Sequence, residues 1–217
     1  MIPLPTFLPQ ILMLLPLRGV ILMPRVTLPI PIFDEDQIQA VQDLAKNQGL
    51  IGIAQPRSAA FADRNLSFFS TGCLGRILSM TVLGEDQAIV TIHGACRFDI
   101  IEELEDGAEL YKAAVSYDRY QNDLVMDSDI VIDRPRLFQA MRPYFEQLDI
   151  APNWDEIERS SNEKLISTLA MICPFNSQEK QALLESPGIK EQSQIMTMLL
   201  EIGTTTNHDA YYPARYH

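Results

Sequence analysis

Residues 72–98 read GCLGRILSMTVLGEDQAIVTIHGACRF, and this stretch decides the fold. On either side of Gly84-Glu85-Asp86 lies a run rich in Ile, Val and Leu, 68–82 before it and 88–93 after it, at the spacing of a β-hairpin. Ile89, Val90 and Ile92 suit a buried strand, and Gly94 ends that run before another at 97–104. A glycine at such a point calls for a bulge or for the close approach of a second backbone segment. Arg97 stands beside apolar positions, where a guanidinium needs a carboxylate and further acceptors. Asp34 and Asp99 are the candidate partners, and a ligand contact is the alternative.

Outward from this hairpin, further β-type runs occupy 11–15, 27–33, 50–54 and 110–117, with Asp106-Gly107 as a second turn. One helix interrupts them, over 35–48: Ile38, Val41, Leu44 and Ala45 form its stripe, Asp34 caps it and Gly49 closes it. After Asp127 the period changes to that of helices. Leu137, Met141, Tyr144, Phe145 and Leu148 form one stripe, with Pro135 in the first turn and a kink expected at Pro143. A second helix is expected over 161–173, carrying Leu165, Leu169 and Ile172, with Ser160 and Glu163 as a capping box. Ser177 starts a third with Leu183 and Leu184, and a fourth carries Ile195, Met198, Leu199 and Ile202 and stops at Gly203. The expected organisation is a β-rich part over 1–124, a bundle of about four helices over 125–203 packed upon it, and a tail over 204–217.

Composition narrows the function. Of 217 residues 47% are hydrophobic, enough for a folded core, and 17 Lys/Arg against 29 Asp/Glu leave a net charge of -12. Both halves are acidic, which disfavours nucleic acid and anionic membranes as partners. Cys73, Cys96 and Cys173 are sparse and contain no C-x-x-C pair, as in a reducing cytoplasm. The uncharged first 17 residues carry Pro3, Pro5, Pro9 and Pro16, which would break a spanning helix, so a soluble cytoplasmic protein is expected.

The spacing of Leu15-Pro16-Leu17, Pro24, Gly72, Gly75-Arg76-Ile77, Gly94 and Arg97-Phe98, followed by Tyr111, Ala114 and Glu179-Lys180-Gln181, resembles the N-terminal substrate-binding domain of the ATP-dependent protease Lon. The resemblance runs from about residue 15 to about residue 200. It implies an α+β fold, a PUA-like β-barrel plus a helical bundle, of bacterial type, that binds polypeptide without catalysing its cleavage. It departs from the family at Met23 (usually aromatic), at Arg25 (usually Gly or His), at Asp34 (often Glu) and at Gln192 (usually Arg).

Catalytic constellations are missing from the sequence. It has no G-x-x-x-x-G-K-[ST] phosphate loop and no G-x-S-x-G elbow, and the Ser/Lys pair of Lon belongs to a domain outside this resemblance. His93 and Cys96 lie an odd offset apart on a strand, which sends them to opposite faces unless a bulge intervenes at Gly94. His208 and His217 have no neighbouring ligand, so neither a metal nor a cofactor is expected.

The loop 55–67 offers Arg57, Phe61 and Arg64. Phe61 reads either as an exposed anchor or as a plug for the barrel end. Arg18 beside Gly19 reads as a partner contact or a solvated turn, and Met23 lies near it. The expected function is recognition of unfolded polypeptide or of a specific client, with a separate protease or chaperone as a further candidate partner. An enzyme with a pocket between barrel and bundle, and a PUA-like RNA-binding module, are the alternatives.

Overall fold

The 72–98 stretch folds as a long antiparallel hairpin of β4 (Thr71–Val82) and β5 (Ala88–Leu104) in the structure, a computed structural model that describes residues 8–47, 49–57, 67–84, 86–104, 110–125 and 130–205. The two runs expected on either side of Gly94 are one strand of 17 residues. It stays continuous because a bulge at Ala95 absorbs the change of register: Gly75 faces Gly94, and Leu74 already faces Cys96.

The remaining strands are β1 (Ile11–Pro16), β2 (Thr27–Ile32), β3 (Leu50–Ala54) and β6 (Tyr111–Ser116). Their order is β2-β5-β4-β3-β1-β6, and β6 pairs back onto the far half of β5, so five strands close a ring with β2 on its outside. All pairings are antiparallel except β1 with β3. The ring holds a small core of Leu12, Leu14, Leu50, Leu74, Phe98 and Val115 among others. Gly72 belongs there because the Phe98 ring lies over it: a Cβ would come within 2.5 Å of Phe98 Cζ and 2.7 Å of the Ile53 carbonyl oxygen. A second, larger core joins strand residues such as Leu15, Ile53, Cys73 and Ile92 to Leu137, Tyr144, Leu169 and Leu200 of the helices. Strands buried on both faces explain unbroken apolar runs such as LIGIA in β3.

Helix α1 (Glu35–Asn47) starts where Asp34 Oδ1 accepts from Gln37 N at 2.8 Å, and Gly49 (φ +63) closes it; Ile38 and Val41 are buried, whereas Ala45 is exposed. After β6 the chain enters a 3-10 helix (Asp118–Leu124), which the sequence reading did not find. The helices α2 (Arg134–Gln147), α3 (Trp154–Arg159), α4 (Asn162–Ile172), α5 (Ser177–Glu185) and α6 (Ile189–Thr205) follow, five among the described residues rather than about four, with α3 unforeseen.

Two caps shift by one residue from expectation. Ser161, not Ser160, caps α4 by accepting from Lys164 N, and Asn176, not Ser177, forms a capping box with Glu179 at α5. Helix α6 also shows a different face. Ile189, Gln192, Ser193, Met196, Thr197 and Leu200 are buried, while Met198 and Ile202 are 55% and 52% exposed. The buried face looks polar in sequence because its polar groups bond backbone: Gln192 Nε2 donates to Leu183 O, and Thr197 Oγ1 to Ser193 O. Nor does the helix stop at Gly203, which lies inside it and against the Tyr144 ring.

Candidate functional site

The seam between strands and helices is held by two arginines. Arg97, 3% exposed, grips Asp123 of the 3-10 helix with a two-pronged fork, Nε to Oδ2 at 2.9 Å and Nη2 to Oδ1 at 2.7 Å. Its Nη1 donates to the carbonyls of Leu184 and Ser186, and its Cζ lies 4.3 Å from the centre of the Tyr120 ring. Burial alone would lower the pKa of this guanidinium; the hydrogen bonds and charge of Asp123 outweigh it and hold the pKa above the ordinary value. The carboxylate expected for Arg97 is therefore Asp123, and not Asp34, which caps α1, or Asp99, which takes Thr71 Oγ1 and Arg119.

Arg25 is the second tie. Its N–H donates to Gly94 O at 2.8 Å while Gly94 N donates to Val26 O at 2.9 Å, so two residues of one strand oppose one of the other, with the first at φ +62. This is a G1-type bulge with arginine where glycine is usual. Gly94 in turn cannot carry a side chain, since a Cβ would overlap the Met23 carbonyl oxygen and lie 2.8 Å from its carbon. The left-handed turn aims the Arg25 side chain at Glu163 of α4 and at the carbonyls of Asp123 and Val125. A cleft of about 410 Å³ opens at this seam, lined by Pro24, Arg25, Arg97, Asp123, Glu163 and Gln192 among others. Its charged side chains are engaged with one another, Arg97 with Asp123 and Arg25 with Glu163, which leaves them poorly placed for acid/base chemistry.

A different surface lies at the far end of the hairpin. The bulge fixes the parity of β2: Val26 faces β5 in the ladder, so Leu28, Ile30 and Ile32 do too, while Thr27, Pro29 and Pro31 turn their backbone outward. Pro29 and Pro31 thus lose no ladder bond, and the free side of β2 lacks two donors. Strand addition along that edge is correspondingly disfavoured. Across β2, β5 and β4, Pro31, Ile89 and Thr81 lie side by side on one face. One residue further on, Leu83 donates to Gln87 O, and Phe33 follows the last paired residue of β2. Period-two alternation puts Phe33, Leu83 and Ile89 on that same outer face, 69%, 62% and 38% exposed. Ile89 is therefore not the buried strand residue the sequence suggested.

The residues singled out from sequence are scattered. Arg18 is exposed in a turn whose Gly19 N donates to Gln55 Oε1, and Met23 is buried in the larger core. Arg57 is exposed; its Nε donates to Phe68 O at 2.7 Å, and it lies over the Phe69 ring. Phe61 and Arg64 lie outside the described residues, as do the Asp106-Gly107 turn, His208 and His217. Pro16 ends β1 and Pro24 lines the seam cleft. His93 Nδ1 meets Thr27 Oγ1, while burial pushes the Cys96 thiol up to about 12, the wrong direction for a nucleophile. Sequence reasoning missed Phe33 and Leu83, although an apolar residue on both faces of a hairpin end was the available signal.

A closed ring with an outer strand, tied to a helical bundle, is the architecture of a Lon N-terminal domain. The sequence matches the family described as ATP-dependent protease La (LON) substrate-binding domain over residues 11–201, and the chain belongs to that family. Lon protease 2 of Myxococcus xanthus is 25% identical over 197 residues, covering 88% of this chain and 24% of that protein. Lon protease of Anaeromyxobacter dehalogenans is 24% identical over 197 residues, with 88% and 23% covered. The chain thus spans about a quarter of the length of the curated relatives it matches. Among solved structures, the N-terminal domain of Mycobacterium avium complex Lon protease aligns with a TM-score of 0.62 at 17% identity, over 88% of this chain and 97% of that one. A Lon N-terminal domain protein from Xanthomonas campestris aligns at 0.59 and 18%, over 88% and 96%. These likenesses establish a shared fold. No helix among the described residues is long and apolar enough to cross a membrane.

Proposed function

We propose that this chain is a polypeptide-recognition module without chemistry of its own, and that the outer face formed by Phe33, Leu83 and Ile89 receives an apolar side chain of an unfolded client. Membership in a substrate-binding family supports the class of ligand. The observation that carries the placement is the run of exposed, large apolar side chains on a sheet face where alternation normally puts polar ones. An acidic net charge of -12 supports polypeptide over nucleic acid, and a cytoplasmic protein that serves a separate protease or chaperone fits both.

The test is fluorescence anisotropy with a labelled, permanently unfolded protein. Leu83→Ser is expected to weaken binding about tenfold or more with an unchanged melting temperature, as for loss of an exposed anchor. Binding untouched by Leu83→Ser and by Phe33→Ser would overturn the placement. A labelled RNA whose binding collapses with salt would instead favour the RNA-binding alternative.

A further inference from the structure

The segments that carry the apolar face at the hairpin end carry charge of one sign. Asp34, Glu35 and Asp36 follow directly on Phe33 and are exposed, and Asp86, also exposed, stands in the turn beside Leu83. No lysine or arginine occurs in residues 27–45 or 77–96, the segments that build this end of the molecule. Asp34 is committed to capping α1, which leaves the other three carboxylates, two of them within three residues of Phe33 and one three residues from Leu83 and from Ile89, facing solvent. An apolar spot borne on acidic segments discriminates among unfolded segments: it attracts a chain that carries cations beside its apolar residues and repels one that carries anions.

We infer that the occupant of this face is a polypeptide segment whose apolar side chains are flanked by lysine or arginine. This rests on the reading of the chain as a polypeptide-binding module and names the substrate class of that same surface. The apolar side chain rests on Phe33, Leu83 and Ile89, and the flanking cations reach Asp36 on one side and Asp86 on the other. Phosphate backbones and anionic lipid surfaces are repelled by the same carboxylates.

Three labelled peptides with one apolar centre and Lys, Ser or Glu flanks separate the parts of this inference. At low salt the Lys-flanked peptide is expected to bind about three- to tenfold tighter than the Ser-flanked one and the Glu-flanked peptide more weakly. The differences should shrink at high salt. Leu83→Ser should weaken all three. The double variant Asp36→Asn, Asp86→Asn should abolish the ranking and leave the Ser-flanked peptide unchanged, whereas Asp155→Asn with Glu156→Gln, exposed carboxylates on α3, should leave the ranking intact. Equal binding of the three peptides, or a ranking that responds to the α3 pair instead, overturns the inference alone. Failure of the Ser-flanked peptide to bind, or to respond to Leu83→Ser, overturns the underlying reading as well.

Discussion

Arg97 and Asp123 form a bidentate pair in which the Arg97 backbone N–H also donates to Asp123 Oδ2, at 2.9 Å, so a single carboxylate receives three donors from one residue. The pair is almost wholly buried, its side chains 4% and 9% exposed. Removing one partner strands a charge away from water. Asp123→Ala is expected to cost about 3–5 kcal/mol in urea unfolding, and Arg97→Met combined with Asp123→Ala less than the sum of the single changes. Additive losses would show that the pair is not the coupled unit the geometry describes.

Arg25 is left-handed without being glycine, so its two contributions can be separated. Arg25→Ala loses the contacts to Glu163, Asp123 and Val125 and keeps the backbone strain; Arg25→Gly loses the same contacts and relieves it. The glycine variant should be more stable than the alanine variant by about 1 kcal/mol, the reverse of the usual ranking. Glu163→Gln should cost no more than about 1 kcal/mol, because that ion pair is partly exposed.

Gly203 tests packing against propensity. Alanine inside a helix is ordinarily favoured over glycine by about 1 kcal/mol. Here a Cβ would come within 2.5 Å of the buried Tyr144 ring, and Gly203→Ala is expected to destabilise by about 1–3 kcal/mol instead. Gly94→Ala should cost about 3 kcal/mol or more, since the obstacle is the Met23 backbone and not a side chain free to turn away. Thermal or urea unfolding of both variants checks the order.

Alkaline pH should weaken the fold through its buried thiols. Burial pushes Cys96 and Cys173 from 9.0 up to about 12 and raises Cys73 well above 9.0. Above pH 9 the unfolded chain releases protons that the folded chain retains. Stability is therefore full below about pH 9 and falls towards pH 12, by about 1.4 kcal/mol per pH unit for each thiol. Burial holds Lys180 below its ordinary value, so that single amine works in the opposite sense. Unfolding midpoints in reducing buffer at about pH 8 and about pH 10 should differ less for Cys96→Ala than for the parent; equal slopes would refute the argument.

The β-rich half was readable because its strands are bounded by turn residues and are apolar on both faces, and β3 was found to the residue. The helices were harder. The buried face of α6 is written partly in Gln192, Ser193 and Thr197, so hydropathy pointed to the wrong side. The 3-10 helix fell between the last β-type run, which ends at 117, and the helical period that begins after Asp127, where neither period is written, yet it contains Tyr120, 1% exposed, and Asp123, the partner of Arg97. A carboxylate held by a distant arginine carries no local signature, whereas the need of Arg97 for such a partner did. The hairpin-end surface stayed hidden for another reason: Phe33 and Ile89 look like any strand residues until the register shows which side they share.

Pro29 and Pro31 bear on the hazard of handling unfolded chains. Such chains grow aggregates by recruiting any open run of backbone donors and acceptors as a template. By occupying the outward positions of β2, the two rings deny such growth a template along the molecule's outermost strand, which is what the proposed handling of unfolded clients requires. The outer strand is, in effect, insulated.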